Sequence, residues 1–273
     1  MLTLGTNRTY LSPKFRTPTP AASPLVVSGN SGIDRIFFYD GVDIFLEATT
    51  GISDPPIEVS CIPGSSWSYR WDNDTTAKTQ MADFDVLHST NGSGWANAGG
   101  VYANEFAIAL TWAQHAWTNG RGGLGAETVW WATWARQDGD VGADYQQRFK
   151  AWPELMDYCN AQMPFGQKPT RIIPGSWIWH RIWEDQANAL TPTATFYDDL
   201  FAVGDPFHQS DVGEYLNTIV NLSCLYGIDP LTFPTSIPSR TPPTETERLY
   251  MCAVIKDVVS NFPRAGVDTS GWA

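Results

Sequence analysis

Leu25-Val26-Val27-Ser28-Gly29-Asn30-Ser31-Gly32 is the stretch on which the fold turns. Three apolar residues run into small and turn-forming ones, which reads as a buried strand feeding a Gly-rich turn. From Asp34 to Ala48 apolar residues recur at helical spacing (Ile36, Phe37, Val42, Ile44, Phe45), so a helix follows, with Gly41 its weak point. The unit is strand, turn, helix.

The unit recurs along the chain. Ile57 to Ile62 is a second strand, turning at Pro63-Gly64, and Phe84 to His88 a third, running into Ser89-Thr90-Asn91-Gly92-Ser93-Gly94. Thr128 to Trp131 and Arg171 to Pro174 are the fourth and fifth. Helices are expected over Val101–Trp117, Asp144–Asn160 (with Pro153 a kink site), Ser176–Ala189, Gln209–Tyr226 and Thr244–Asn261. Thr244-Glu245-Thr246-Glu247 opens the last with a capping box. Short apolar strands alternating with helices call for a five-stranded, mostly parallel α/β sheet covered on both faces. Residues 1–24, broken by Pro13, Pro18, Pro20 and Pro24, read as an extended N-terminal arm, and residues 25–273 as one domain.

Composition narrows the function. Of 273 residues, 42% are hydrophobic, enough for a substantial core and too many for a disordered chain. Lys and Arg number 17 against 29 Asp and Glu, a net charge of −12, which argues against a phosphate-binding face and so against nucleic acid. No apolar run reaches membrane-spanning length, and Met1 to Pro20 holds no apolar signal-peptide core. The expected location is therefore the cytoplasm or a virion-like particle. The four cysteines are widely spaced with no C-x-x-C, so buried free thiols are expected, with no metal site. Neither a phosphate loop nor a dinucleotide fingerprint occurs, and no cofactor is implied. The 13 tryptophans are either core aromatics or stacking platforms, and the acidity favours sugars over bases as ligands.

Ligands of such sheets bind beyond the carboxyl ends of the strands. Ser31 follows the first strand, Gly64 the second and Asn91 the third, while Asp205-Pro206-Phe207-His208 leads into a late helix. A serine on a tight turn at a helix start presents its hydroxyl where the helix terminus favours negative charge. A neutral histidine activates it, and a carboxylate three residues before that histidine fixes its tautomer. Gly64 N–H and the Asn91 amide could share one oxyanion with the Ser31 N–H. Taken singly, each has a plainer use: Ser31 or Asp205 as a helix cap, Asn91-Gly92 and Pro63-Gly64 as turns, His208 as an ordinary histidine.

In order and placement these residues resemble the SGNH (GDSL-like) hydrolases, over residues 25 to 226. Gly29-Asn30-Ser31 matches the nucleophile block, with Asn30 where Asp is usual. Gly64 matches the second-block glycine by order, and Asn91 the third-block asparagine, within Ser89-Thr90-Asn91-Gly92 in place of G-x-N-D. Asp205 to Tyr215, D-P-x-H-x-S-x-x-G-x-Y, looks like the closing segment. The resemblance implies a three-layer α/β/α sandwich of SGNH/flavodoxin-like type and hydrolysis of esters, often acetyl groups on carbohydrates. It also implies a catalytic set of Ser31, Asp205 and His208 and an oxyanion site of Ser31, Gly64 and Asn91. Trp67, Trp95 and Trp134, near strand ends, are the expected substrate-binding residues; His88, ending the third strand, is either a fourth or, on the stronger reading, a packed or hydrogen-bonded structural histidine. The expected partner is an acylated carbohydrate or another small ester, with a protein partner possible for the arm. The competing reading is a non-catalytic carbohydrate- or receptor-binding module, such as a phage or gene-transfer-agent spike component.

Overall fold

A computed structural model describes residues 20, 23–38, 41–73, 75–91 and 103–272. The predicted arm lies outside them apart from Pro20, Ser23 and Pro24. Five short strands, β1 (Leu25–Ser28), β2 (Ile57–Val59), β3 (Val86–Ser89), β4 (Glu127–Trp131) and β5 (Arg171–Ile173), form one sheet in the order β2-β1-β3-β4-β5. All four pairings are parallel, with Val27 opposite both Val59 and His88. Strand residues alternate between two cores, as a period of two requires. Leu25, Val27, Val86, Val129, Trp131 and Ile173 face one core, and Val26, Leu87, Trp130 and Ile172 the other.

The first core is covered by α1 (Ser31–Phe38) and α2 (Gly41–Thr50). It continues under α7 (Gly175–Ala187), α9 (Asp211–Tyr226) and α10 (Glu245–Ser260). The second lies under α3 (Trp67–Asp72), α4 (Thr76–Thr79), α5 (Ala103–Gly123) and much of α6 (Val141–Asn160). The remaining short helix is α8 (Phe196–Asp199). The result is a three-layer α/β/α sandwich.

The helix expected over residues 34–48 is described as α1 and α2, with residues 39 and 40 between them outside the described residues. At the start of α2 a Cβ on Gly41 would lie 3.0 Å from Ile237 Cγ2, so glycine there lets the 230s loop approach closely. Pro153 sits inside α6, which runs on to Asn160. The capping box at Thr244 and Glu247 forms as predicted. All four cysteines are free. Among the described residues no helix is long and apolar enough to cross a membrane.

The strand order reverses direction between β1 and β3, and in parallel sheets this switch point opens a crevice at the carboxyl ends. Ser31 and Asn91 lie just past the carboxyl ends of those two strands.

Candidate active site

Ser31 is the first residue of α1, three residues beyond the end of β1. The turn is tight because Gly29 meets Ile33: a Cβ at Gly29 would fall 1.9 Å from Ile33 Cγ2. Asn30 is buried and organises the turn. Its Oδ1 accepts from the Gly32 N–H (2.9 Å), and its C=O accepts from the N–H groups of Ile33 and Asp34 (both 3.0 Å). A helix start leaves its first N–H groups without intrahelical partners. Asn30 takes two of them here, those of Gly32 and Ile33, and no hydrogen bond among the described residues uses the Ser31 N–H.

His208 comes from the turn before α9. Its Nε2 lies 2.9 Å from Ser31 Oγ and its Nδ1 2.6 Å from Asp205 Oδ2. The carboxylate accepts from Nδ1–H, so the neutral ring offers Nε2 to the Ser31 O–H. Asp205 Oδ1 also accepts from the backbone N–H groups of Phe207 and His208, each at 2.9 Å. Desolvation pushes the Asp205 carboxyl up, but these hydrogen bonds and the adjacent imidazole outweigh it and hold the group at about 2. It is therefore a carboxylate at any ordinary pH.

The loop from β4 to α6 supports this turn. Gln137 N–H donates to Pro206 C=O (2.8 Å) and Trp134 Nε1 to Phe207 C=O (2.8 Å), while the Trp134 ring stacks on Phe207 at 5.6 Å. Phe207 in turn lies over Gly32, where an added Cβ would be 3.4 Å from its Cζ. Arg35 on α1 donates to Gln209 C=O (3.2 Å). The serine turn and the histidine turn are thus joined by side chains as well as by the Ser31–His208 bond.

Asn91, just past β3, is buried. Its Oδ1 accepts from the Trp67 N–H (2.9 Å), its Nδ2 donates to Glu105 Oε2 (2.6 Å), and its C=O accepts from Asn30 Nδ2 (2.9 Å). That last bond needs an amide at position 30, since a carboxylate has no hydrogen to give. Gly64 occupies an exposed turn between β2 and α3 at φ +71°, a left-handed backbone that favours glycine. No direct hydrogen bond joins it to Ser31 or Asn91. Its neighbours are tied in: Ile62 N–H donates to Gly29 C=O (3.0 Å).

Three of the expected substrate-binding residues are elsewhere. Trp67 is fully buried, its indole N–H donating to Ser89 Oγ (3.0 Å) and its ring edge-on to Trp130. Trp134 is equally buried and serves the histidine turn. His88 lies inside the sheet layer, with ring nitrogens 3.2 Å from Val129 C=O and 2.8 Å from Asn221 Oδ1. Each sits near a strand end, with its side chain in a core and a polar partner there; for His88 this is the packed structural role that is the stronger of its two readings. Trp95 falls outside the described residues. Arg70, which the sequence reading passed over, is buried directly behind these turns, one helical turn along from Trp67. Among the described residues no group of three or more His, Cys, Asp or Glu is placed to hold a metal ion.

The fold is that of the SGNH (GDSL-like) hydrolases. It is similar to a DUF4886 family protein from Bacteroides uniformis, with a TM-score of 0.58 and 13% identity over 87% of this chain and 95% of that one. A candidate GDSL-like lipase from Parabacteroides merdae is also similar, with a TM-score of 0.53 and 14% identity over 77% of this chain and 98% of that one. No family model and no curated protein sequence matches the chain.

Proposed function

We propose that the protein is a serine esterase whose nucleophile is Ser31. The observation that carries this reading is the unbroken hydrogen-bonded chain Ser31 Oγ–His208 Nε2/Nδ1–Asp205 Oδ2 at the switch point of the sheet. A module that only binds has no use for a hydroxyl aimed at an imidazole whose tautomer a carboxylate has fixed.

In the proposed reaction Ser31 Oγ attacks the ester carbonyl carbon as His208 Nε2 takes its proton. The resulting oxyanion is held by the Ser31 N–H, the Gly64 N–H and the second hydrogen of Asn91 Nδ2. As the intermediate collapses, His208 protonates the departing alcohol, leaving an acyl group on Ser31. Water then attacks this acyl group, His208 takes the water's proton, and the acid leaves as that proton returns to Ser31. Asp205 stays ionised throughout and stabilises the imidazolium. An acylated carbohydrate is the proposed substrate class. Its support is the resemblance to a family that acts on such esters, together with the acidity that disfavours phosphorylated ligands.

The test is intact mass after treatment with a fluorophosphonate, on the wild type and on Ser31→Ala. One adduct on the wild type and none on the folded variant is expected, along with loss of acetate release from an acetylated sugar. A folded wild type that takes no adduct would instead favour the binding module.

A further inference from the structure

Arg70, on α3, is fully buried, and its hydrogen bonds all go to uncharged groups. Its Nε–H donates to Ser28 Oγ (3.1 Å), Nη1 to Ser65 C=O (3.0 Å) and Ser65 Oγ (2.9 Å), and Nη2 to Thr90 C=O. Among the described residues no carboxylate forms an ion pair with it, Glu105 acting on it only through its charge, whereas the buried Arg171 is paired with Glu127 at 3.0 Å. Taking a charge out of water is expensive, and packed apolar side chains often stabilise a core at least as well as buried charges. Stability alone gives little reason for an arginine here.

The positions of its partners give a better one. Ser28 ends β1, three residues before Ser31; Ser65 follows Gly64; Thr90 precedes Asn91. We propose that Arg70 is the positioning residue of the oxyanion site, its single rigid guanidinium setting the separations of the three turns that carry Ser31, Gly64 and Asn91. The inference rests on the esterase reading. A planar fork with five donors at fixed angles can hold three segments in register, which a lysine ammonium on a flexible stem cannot. The same helix orients the Asn91 amide, through the Trp67 N–H.

The test compares Arg70→Met, Arg70→Lys and Ser65→Ala with the wild type. It reads kcat and KM on p-nitrophenyl acetate, the rate of fluorophosphonate labelling, the pH–rate profile and the melting temperature. For Arg70→Met, kcat and the labelling rate should fall on the order of 100-fold, with KM within about threefold, because the loss is in the transition state. The acid limb of the profile should not move, since His208 and Asp205 are untouched. Arg70→Lys should fail to restore kcat. Ser65→Ala, missing one of the acceptors, should lose activity several-fold with its melting temperature near native. Wild-type kcat in folded Arg70→Met, or in Arg70→Lys and Ser65→Ala if the first does not fold, overturns the positioning role alone. A wild type that takes no label, or a Ser31→Ala variant that does, overturns the esterase reading and this inference with it.

Discussion

The His88 imidazole has no access to water. Desolvation of the cation outweighs its hydrogen bonds to Val129 C=O and Asn221 Oδ1, and the ring is pushed down to about 4. In the unfolded chain a histidine titrates near 6.5. The unfolded state therefore binds the proton first. Folding loses nothing to His88 above pH about 6.5 and progressively more as pH falls to about 4, on the order of 3 kcal/mol in all. Urea unfolding of the wild type should weaken over that range, and His88→Gln should flatten the slope whatever its own baseline stability.

The residues carrying the proposed chemistry were legible because their signals are local: a serine in a Gly-rich turn, and an aspartate three residues before a histidine at a helix start. What could not be read was direction. Position at a strand end says where a backbone stops and not which way its side chain points, so Trp67 and Trp134, expected in the substrate cleft, are in the cores. Arg70 was hidden for a related reason. An arginine in sequence looks like a solvated charge, and its burial follows only from where α3 packs.

At the level of elements, β1, its turn and α1 form a unit that tolerates little change. Gly29→Ala would drive a methyl group into Ile33 Cγ2. The strain should cost about 1–3 kcal/mol, by analogy with overpacked cores, and urea titration would measure it. Ile33→Leu removes that methyl branch, so Gly29→Ala/Ile33→Leu should recover much of the loss; equal instability of the single and double variants would point to a different cause. Strands are readable from short apolar runs ending in turn residues, and long helices from periodicity. Gly41 is legible in sequence as a weak point but its use is not, because the side chain it makes room for, Ile237, lies nearly two hundred residues away in sequence. The helices α3, α4 and α8, of 6, 4 and 4 residues, are too short for a periodic pattern to show.

On the scale of the molecule, the one sheet divides two cores and belongs to both. Among the described residues eight tryptophans are fully buried: Trp131, Trp134 and Trp179 on one side, and Trp67, Trp112, Trp117, Trp130 and Trp152 on the other. Neither core keeps its floor if the sheet is lost. Tryptophan emission should accordingly be blue-shifted in the native protein, and its shift in urea should coincide with the loss of far-UV circular dichroism. Separate midpoints would mean that one layer survives the other.

Ser31 and His208 touch across a sequence separation of 177 residues, and between them lie four of the five strands. During synthesis Ser31 leaves the ribosome before His208, which cannot reach it until β2 to β5 have also emerged and paired. On the proposed esterase reading, a chain that stops before His208 carries Ser31 without that base, and fluorophosphonate labelling in a cell would report only copies made past that point.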